Sequence, residues 1–300
     1  MALHKFNGLS VALVTPMDEN LEIDRKAYEA HLDYQIEGGV DHLVVCGTTG
    51  ESPTIRDDEF EYLLSKAVEM ARGRCGVIAG TGTNSTVKSI ERSLVAEKLG
   101  SDGILLVAPY YNKPSQRGLS AHFRAIADSV SLPGILYNVP GRASVNIDPD
   151  TIATLSGHPN IAAAKEASGD INQIMDILAS VPEGFTVLAG DDAMTLPTIA
   201  SGGHGVISVA ANEAPDLMKT YVDACLDGDF SKGRHYHYLL LPLLRANFWE
   251  SNPVAVKAAL SLMGRMKNTL RLPLVPMDEK YIPRLKMILS DIGLDVQAAT

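Results

Sequence analysis

Eight short apolar segments, spaced roughly 20–35 residues apart, alternate with helical patterns between residues 9 and 209. Each segment is rich in aliphatic or β-branched residues and is bounded by Gly, Pro, Asn or Asp, which is typical of strands buried on both faces. Strands that alternate regularly with helices predict an α/β fold, and eight such units favour a (β/α)8 TIM barrel over an open doubly wound sheet. The predicted strands are residues 9–16, 41–47, 76–82, 103–109, 134–140, 161–168, 186–192 and 205–209.

The intervening segments carry the periodicity of amphipathic helices. After the second predicted strand, Phe60, Leu63 and Leu64 begin an i, i+3, i+4 stripe of apolar residues. Thr54, with Asp57 three residues later, is predicted to cap this helix.

The strand pattern ends before residue 228, and the remaining segments are helical. We therefore expect a catalytic barrel over residues 1–227 and a small C-terminal helical domain over residues 228–300. Its predicted helices cover residues 230–244, 252–263 and 280–292. In the second of them Asn252 is predicted to be the cap and Pro253 the first helical residue.

Charge and composition exclude several functional classes. The net charge is −10 and the pI is about 5.3, so the chain lacks the basic surface that nucleic acid binding requires. It has no apolar run of about 18 residues, and its first residues lack the charged-then-apolar order of a secretory signal. We therefore expect a soluble protein that is not exported and not associated with a membrane. The three cysteines contain no C-x-x-C pair, which predicts reduced thiols of a cytoplasmic protein and no metal site.

Lys165 is the first candidate for chemistry. The surrounding segment NIAAAKEASG has the composition of an exposed helix, and a solvated surface lysine is the ordinary alternative. Lys165 nevertheless falls late in the sixth predicted strand, and the C-terminal ends of barrel strands carry the active site. Apolar walls there would disfavour its charged form, and a neutral amine attacks a carbonyl carbon to form a Schiff base.

Two further segments could bind an anionic substrate or move a proton. Residues 47–51 combine two glycines with Thr48 and Thr49, which could cradle a carboxylate or phosphate, although a purely structural turn explains them equally well. In the segment 137–142, the phenol of Tyr137 could relay protons and Arg142 could hold a carboxylate. Core or interface packing is the alternative for the aromatic residues.

Residues 47–51, 110–114, 137–142, 165–169 and 190–192 together resemble the dihydrodipicolinate synthase group of the pyruvate-dependent class I lyases. The resemblance spans most of the barrel, with the motifs in the family's order and spacing. It implies condensation of pyruvate with L-aspartate 4-semialdehyde to 4-hydroxytetrahydrodipicolinate, on the diaminopimelate route to lysine. It also implies that no metal or organic cofactor is needed.

The resemblance assigns a role to each matching residue. Lys165 would form the imine with pyruvate, and Tyr137, Thr48 and Tyr111 would form a proton relay. Tyr111 would come from the neighbouring subunit of a tight dimer, in a homo-oligomer that is a dimer or a tetramer of two dimers. The residues assigned to substrate binding are Thr48 and Thr49 for the pyruvate carboxylate, Arg142 for the semialdehyde carboxylate, and the backbone at Gly190 and Ile207.

A departure from the family concerns feedback regulation by L-lysine. The residues at the corresponding regulatory positions are Ser52, Phe60, Asn84, Lys88 and Tyr110. Phe60 and Lys88 stand where lysine-inhibited members have a histidine and a glutamate. An ammonium in place of that carboxylate repels the ligand's amino groups by about 1 kcal/mol or more, so we expect L-lysine to inhibit weakly or not at all.

Three alternatives remain open from the sequence. A sugar-acid aldolase or dehydratase, such as a relative of N-acetylneuraminate lyase, would also use Lys165, although Arg142 after Gly141 favours the synthase. Ala143 and Ser144 depart from the Thr-Gly that is common after this arginine. A barrel hydrolase would instead use carboxylates such as Glu51 and Asp191, and a non-enzymatic binding barrel would have kept only the fold.

Overall fold

The computed structural model describes residues 6–297, and its centre is a closed barrel of parallel strands in sequence order. The first strand pairs with both the second and the eighth, which closes the sheet. The predicted (β/α)8 barrel with a C-terminal helical part is therefore confirmed. The strands are β1 (Gly8–Ala12), β2 (His42–Val45), β3 (Gly76–Gly80), β4 (Gly103–Val107), β5 (Gly134–Asn138), β6 (Ile161–Glu166), β7 (Thr186–Ala189) and β8 (Gly205–Ser208).

Helices follow the strands and surround the barrel. Those of the barrel are α1 (Arg25–Glu37), α2 (Asp57–Ala71), α3 (Thr86–Lys98), α4 (Gln116–Ala127), α5 (Pro140–Ala143), α6 (Pro149–Ser156), α7 (Ile171–Ser180), α8 (Thr195–Ala200) and α9 (Pro215–Leu226). The C-terminal part contains α10 (Phe230–Ala246), α11 (Val254–Leu262) and α12 (Ile282–Asp291). Across residues 6–297, no helix combines the length and the apolar character that crossing a membrane requires.

The strands are mostly apolar because both of their faces are buried. Val44, Ile78 and Ile135 belong to a small cluster inside the barrel, whereas Leu43 and Val45 belong to the larger cluster between strands and helices. A half-buried strand would alternate apolar with polar residues, and a strand buried on both faces does not. The predicted strands run past the observed ones because the residues that follow them are also mostly buried.

Two predicted helix caps are wrong. Thr54 lies in a short 3₁₀ helix, Ser52–Thr54, and the N-cap of α2 is Arg56, whose backbone N–H donates to Glu59 at 2.9 Å. The helix predicted to start at Asn252 begins at Val254, with Pro253 as its N-cap after a cis Asn252–Pro253 bond. Asn252 lies one residue before the cap of α11, and its side-chain Nδ2 donates to a distant threonine.

The C-terminal helices pack onto the last part of the barrel. The long helix α10 lies against α9 and α12, and buried side chains of all three belong to the same apolar cluster. The third predicted helix, residues 280–292, is a 3₁₀ turn at Glu279–Tyr281 followed by α12. The boundary between the two domains at residue 227 stays a prediction.

Candidate active site

A cavity of about 210 Å³ opens at the C-terminal ends of the barrel strands. Residues from seven of the eight strand–loop units meet there, although they lie far apart in the chain. This is the end of a (β/α)8 barrel at which catalytic residues are found. Six of the residues predicted from the sequence line it: Thr48, Thr49, Tyr137, Arg142, Lys165 and Gly190.

Lys165 is a buried strand residue rather than a surface lysine, with only 5% of its surface exposed. Its Nζ lies 4.2 Å from the ring centroid of Tyr137, the residue paired with it across β5 and β6. The backbone at Gly190 closes the opposite side, where an added Cβ would lie 3.0 Å from Lys165 Cε. A larger residue at position 190 would therefore displace the lysine side chain.

A buried carboxylate behind the strands fixes this arrangement. Glu166 accepts hydrogen bonds from Asn138 Nδ2 at 2.9 Å, the Ser168 N–H at 2.6 Å and Gln173 Nε2 at 3.1 Å. Since neighbouring residues of a strand point to opposite faces, the outward-facing pair Asn138 and Glu166 directs Tyr137 and Lys165 into the barrel. This support could not be predicted from the sequence, because an isolated Asn or Glu carries no motif.

The loop at residues 47–51 places two hydroxyl groups at the cavity. Backbone bonds from the Gly50 N–H to Gly47 O at 3.1 Å and from the Glu51 N–H to Thr48 O at 3.0 Å close it into a tight turn. Thr49 is buried, and its Oγ1 accepts a hydrogen bond from Asn252 Nδ2 at 2.9 Å. Hydroxyls and backbone N–H groups in such a turn suit a small carboxylate.

Arg142 lies at the mouth of the cavity, in the short helix α5. Its side chain is exposed, and one guanidinium nitrogen donates to the Asn252 carbonyl at 3.2 Å. It lines the central cavity and also two neighbouring clefts of about 170 and 220 Å³. A planar cation at this position can meet a carboxylate that enters from solvent.

Two of the predicted site residues do not line the cavity. Ile207 is buried in the inner cluster of the barrel, and Val209 lines the cavity in its place. Tyr111 is 88% exposed, with its backbone in the left-handed region at φ +74°. Its phenol therefore faces outward from the chain that carries it.

Two cavity residues from the C-terminal part, Phe248 and Asn252, were not predicted to belong to the site. Both lie outside the barrel in sequence; Phe248 belongs to no motif, and the motif of Asn252 indicates only a helix start. The acidic pair after β7 accepts hydrogen bonds from the backbone: Asp191 from the Ala193 N–H at 2.9 Å within a local turn, and Asp192 from the Val209 N–H at 2.9 Å, beyond the end of β8. Between residues 6 and 297, no group of three or more His, Cys, Asp or Glu is placed to hold a metal ion.

The predicted regulatory positions lie in different places within one chain. Phe60 and Lys88 line a surface cleft of about 200 Å³, where the Arg92 guanidinium lies 5.4 Å from the Phe60 ring centroid. Ser52 and Tyr110 line the cleft of about 170 Å³ beside Arg142. Asn84 lines neither cleft, and its carbonyl accepts from Asn112 Nδ2 at 2.9 Å.

A buried lysine at the end of the sixth barrel strand, against a phenol ring and beside two threonines, defines the class of Schiff-base lyases built on a (β/α)8 barrel. Sequence comparison specifies the family within this class. A sequence model of the Dihydrodipicolinate synthetase family matches residues 5–292, and the chain belongs to this family.

Individual relatives are similar to this protein in sequence and in structure over almost the whole chain. A 4-hydroxy-tetrahydrodipicolinate synthase of Salinibacter ruber is 49% identical, covering 98% of each chain. The crystal structure of dihydrodipicolinate synthase from Aquifex aeolicus has a TM-score of 0.95 at 42% identity, covering 98% of this chain and 100% of that one. The chloride-inhibited synthase from Acinetobacter baumannii, solved in complex with pyruvate, has a TM-score of 0.95 at 39% identity, covering 97% and 100%.

Proposed function

We propose that this chain catalyses the Schiff-base condensation of pyruvate with L-aspartate 4-semialdehyde to 4-hydroxytetrahydrodipicolinate, in the diaminopimelate route to lysine. The observation that carries the proposal is the position of Lys165, buried in the cavity with its amine against the Tyr137 ring. Membership of the Dihydrodipicolinate synthetase family supports the same reaction. The pyruvate complex of the Acinetobacter baumannii relative supports pyruvate as the first substrate.

The chemistry begins at the Lys165 amine. Nζ attacks the keto carbon of pyruvate, the carbonyl oxygen leaves as water, and the resulting iminium withdraws electrons from the methyl group. Loss of a methyl proton gives an enamine, whose carbon attacks the aldehyde of the second substrate. The amino group of that substrate then attacks the iminium carbon, closes the ring and releases the lysine amine.

Tyr137 is the proton carrier in this scheme, since its ring lies 4.2 Å from the amine at which water must be lost. Thr48, which lines the same cavity, connects the Tyr137 phenol with Tyr111, the third residue of the relay. Thr48 and Thr49 hold the pyruvate carboxylate, and Arg142 at the mouth holds the semialdehyde carboxylate. The backbone at Gly190 and at Ile207 completes the pocket, although the Ile207 side chain is directed into the inner cluster.

In our proposal, Tyr111 of the neighbouring subunit in a tight dimer completes the relay. The homo-oligomer is either this dimer or a tetramer of two such dimers. The outward orientation of Tyr111 supports this, because the residue cannot contribute to the cavity of its own chain while 88% exposed. We place the activity in the cytoplasm and assign it to a barrel domain of residues 1–227, followed by a helical domain of residues 228–300.

Borohydride reduction in the presence of pyruvate tests the proposal. We expect a pyruvate adduct on Lys165 by peptide mass mapping, complete loss of the adduct in Lys165→Ala, and an unchanged adduct in the surface variant Lys267→Ala. An adduct on another lysine, or activity that survives Lys165→Ala, would exclude this mechanism. Turnover of aspartate semialdehyde, compared with 2-keto-3-deoxy sugar acids, then separates the synthase from a sugar-acid aldolase.

A further inference from the structure

The structure contains a second buried lysine, which the chemistry does not use. Lys257 lies on α11 in the C-terminal part and is fully buried. Its Nζ donates to Glu51 Oε1 at 2.6 Å and to the Thr15 carbonyl at 3.0 Å. Charged side chains are almost never fully buried unless they are paired. Glu51 is the partner that allows Lys257 to be buried, and the presence of this charged pair in the interior calls for an explanation.

Glu51 is the last residue of the loop that carries Thr48 and Thr49. Its backbone adopts the left-handed conformation at φ +58°, and its N–H closes the loop on Thr48 O at 3.0 Å. The side chain is buried, and its second oxygen, Oε2, accepts from the Arg271 N–H at 3.3 Å. Both carboxylate oxygens are therefore held by residues of the C-terminal part.

Other contacts seat the same loop on the barrel. Thr15 Oγ1 donates to the Gly50 carbonyl at 2.8 Å, so Thr15 bonds both the loop and Lys257. An added Cβ at Gly50 would lie 3.1 Å from Leu13 O, which leaves the loop little room to shift. Lys257 thus closes a chain of bonds from Thr15, in the segment after β1, through the loop to α11.

We propose that Lys257 is a positioning residue, which acts through Glu51 to hold Thr48 and Thr49 in the geometry that binds the pyruvate carboxylate. This inference rests on the function proposed above for the two threonines. Stability alone does not require the pair, because two apolar residues of similar size in a buried site are often as stable as an ion pair. The hydrogen bonds of an ion pair depend on direction, unlike apolar contacts, so the Lys257–Glu51 pair selects one conformation of the loop.

The proposal predicts an effect on one kinetic constant. In Lys257→Met we expect the KM for pyruvate to rise about tenfold or more, because misplacement of binding groups by about 1 Å can reduce activity by roughly 100-fold. We expect kcat at saturating pyruvate to fall by a smaller factor than the KM rises, because Thr48 also belongs to the proposed proton relay, and the KM for the semialdehyde to stay within about twofold. A KM that rises by more than kcat falls indicates that the larger loss is in binding of the substrate.

The double variant Glu51→Met with Lys257→Met separates positioning from stability. It removes both charges, so we expect it to regain most of the Tm that the single variant loses while its KM for pyruvate stays raised. The matched control is Lys219→Met, which removes a lysine paired with Asp223 at 2.6 Å far from the loop. The control should keep the wild-type KM for pyruvate.

Recovery of the KM together with the Tm in the double variant would show that Lys257 only compensates a buried charge, and would overturn the proposal. A folded Lys257→Met enzyme with an unchanged KM would do the same. If the single variant does not fold, the double variant decides alone. Borohydride trapping of pyruvate on Lys165 in the wild type is measured first. Its failure would refute the proposed function, whereas the variants at Lys257 test only the positioning role.

Discussion

Arg271 connects the C-terminal part to the barrel, and its replacement should have a large effect on stability. Its guanidinium donates to both Glu59 oxygens at 2.7 and 2.5 Å, to the Thr54 carbonyl at 2.7 Å and to the Leu21 carbonyl at 2.7 and 2.9 Å. The side chains of Arg271 and Glu59 are only 11% and 5% exposed. Every guanidinium nitrogen is therefore engaged in a largely desolvated site.

Breaking a buried ion pair by removing one partner costs about 3–5 kcal/mol. Glu59 would keep one partner in Arg271→Ala, because Arg56 Nη2 also lies 2.9 Å from its carboxylate. We therefore expect the lower end, about 3 kcal/mol, which corresponds to a fall in Tm of roughly 6–12 °C. Arg271→Lys keeps the charge but loses the planar fork, so we expect about 1–2 kcal/mol.

The pH dependence of this loss follows from Glu59. Burial alone would raise the pKa of Glu59, but the hydrogen bonds from Arg271 and the Arg56 N–H, with both positive charges, hold it below the ordinary value of 4.5. A carboxyl group whose pKa is lowered in the folded state stabilises the protein above its unfolded pKa, and this stabilisation is lost as the pH falls through the folded value. The difference in the free energy of unfolding between wild type and Arg271→Ala should therefore be largest near neutral pH and decrease below about pH 4.5.

Thermal and urea denaturation at one protein concentration, from pH 7 down to the acid limit of folding, would measure this difference. The matched control is Lys267→Ala, which removes an exposed pair with Glu19 whose side chains are 49% and 79% exposed. Such surface pairs contribute about 0–1 kcal/mol. If Arg271→Ala lost no more stability than this control, the proposed coupling between the C-terminal part and the barrel would be wrong.

Three further outcomes follow from the site and its surroundings. Tyr137→Phe removes the proposed proton carrier and should lower kcat about 100- to 10,000-fold, whereas Arg142→Ala should mainly raise the KM for the semialdehyde. Steady-state kinetics with each substrate varied would reveal the reverse pattern if the proposed roles are wrong. Millimolar L-lysine should leave the rate almost unchanged, because Phe60 and Lys88 stand at the positions predicted to be regulatory and Lys88 would repel the ligand's amino groups; a saturable inhibition curve would contradict this. Burial raises the pKa of the Cys46 thiol to about 12, so an alkylating reagent at pH 7.5 should modify it only on unfolding, as mass spectrometry would show.

The barrel could be predicted because local sequence and tertiary environment agree along the strands. Residues 103–109 are apolar throughout and residues 134–140 are apolar apart from Asn138 and the Tyr137 phenol, as is typical of strands packed on both faces, and the structure has β4 and β5 there. The two predicted caps are wrong because each helix begins after the residue that the sequence signal indicates. Thr54 instead closes a 3₁₀ turn, in which its hydroxyl donates to the Glu51 carbonyl at 3.1 Å. Asn252 has the side chain of a helix cap, but its amide bonds Thr49, which is 203 residues away.

The sequence by itself determined the eight-unit architecture, the family and the presence of Lys165, Tyr137, Thr48 and Thr49 at the ends of strands. These depend on short-range periodicity and on motifs of a few residues. Only the tertiary structure decided that Phe248 and Asn252 line the cavity and that Lys257 meets Glu51. No local pattern records these contacts, because they join segments about 200 residues apart, which come together only when the barrel closes and the C-terminal helices pack onto it.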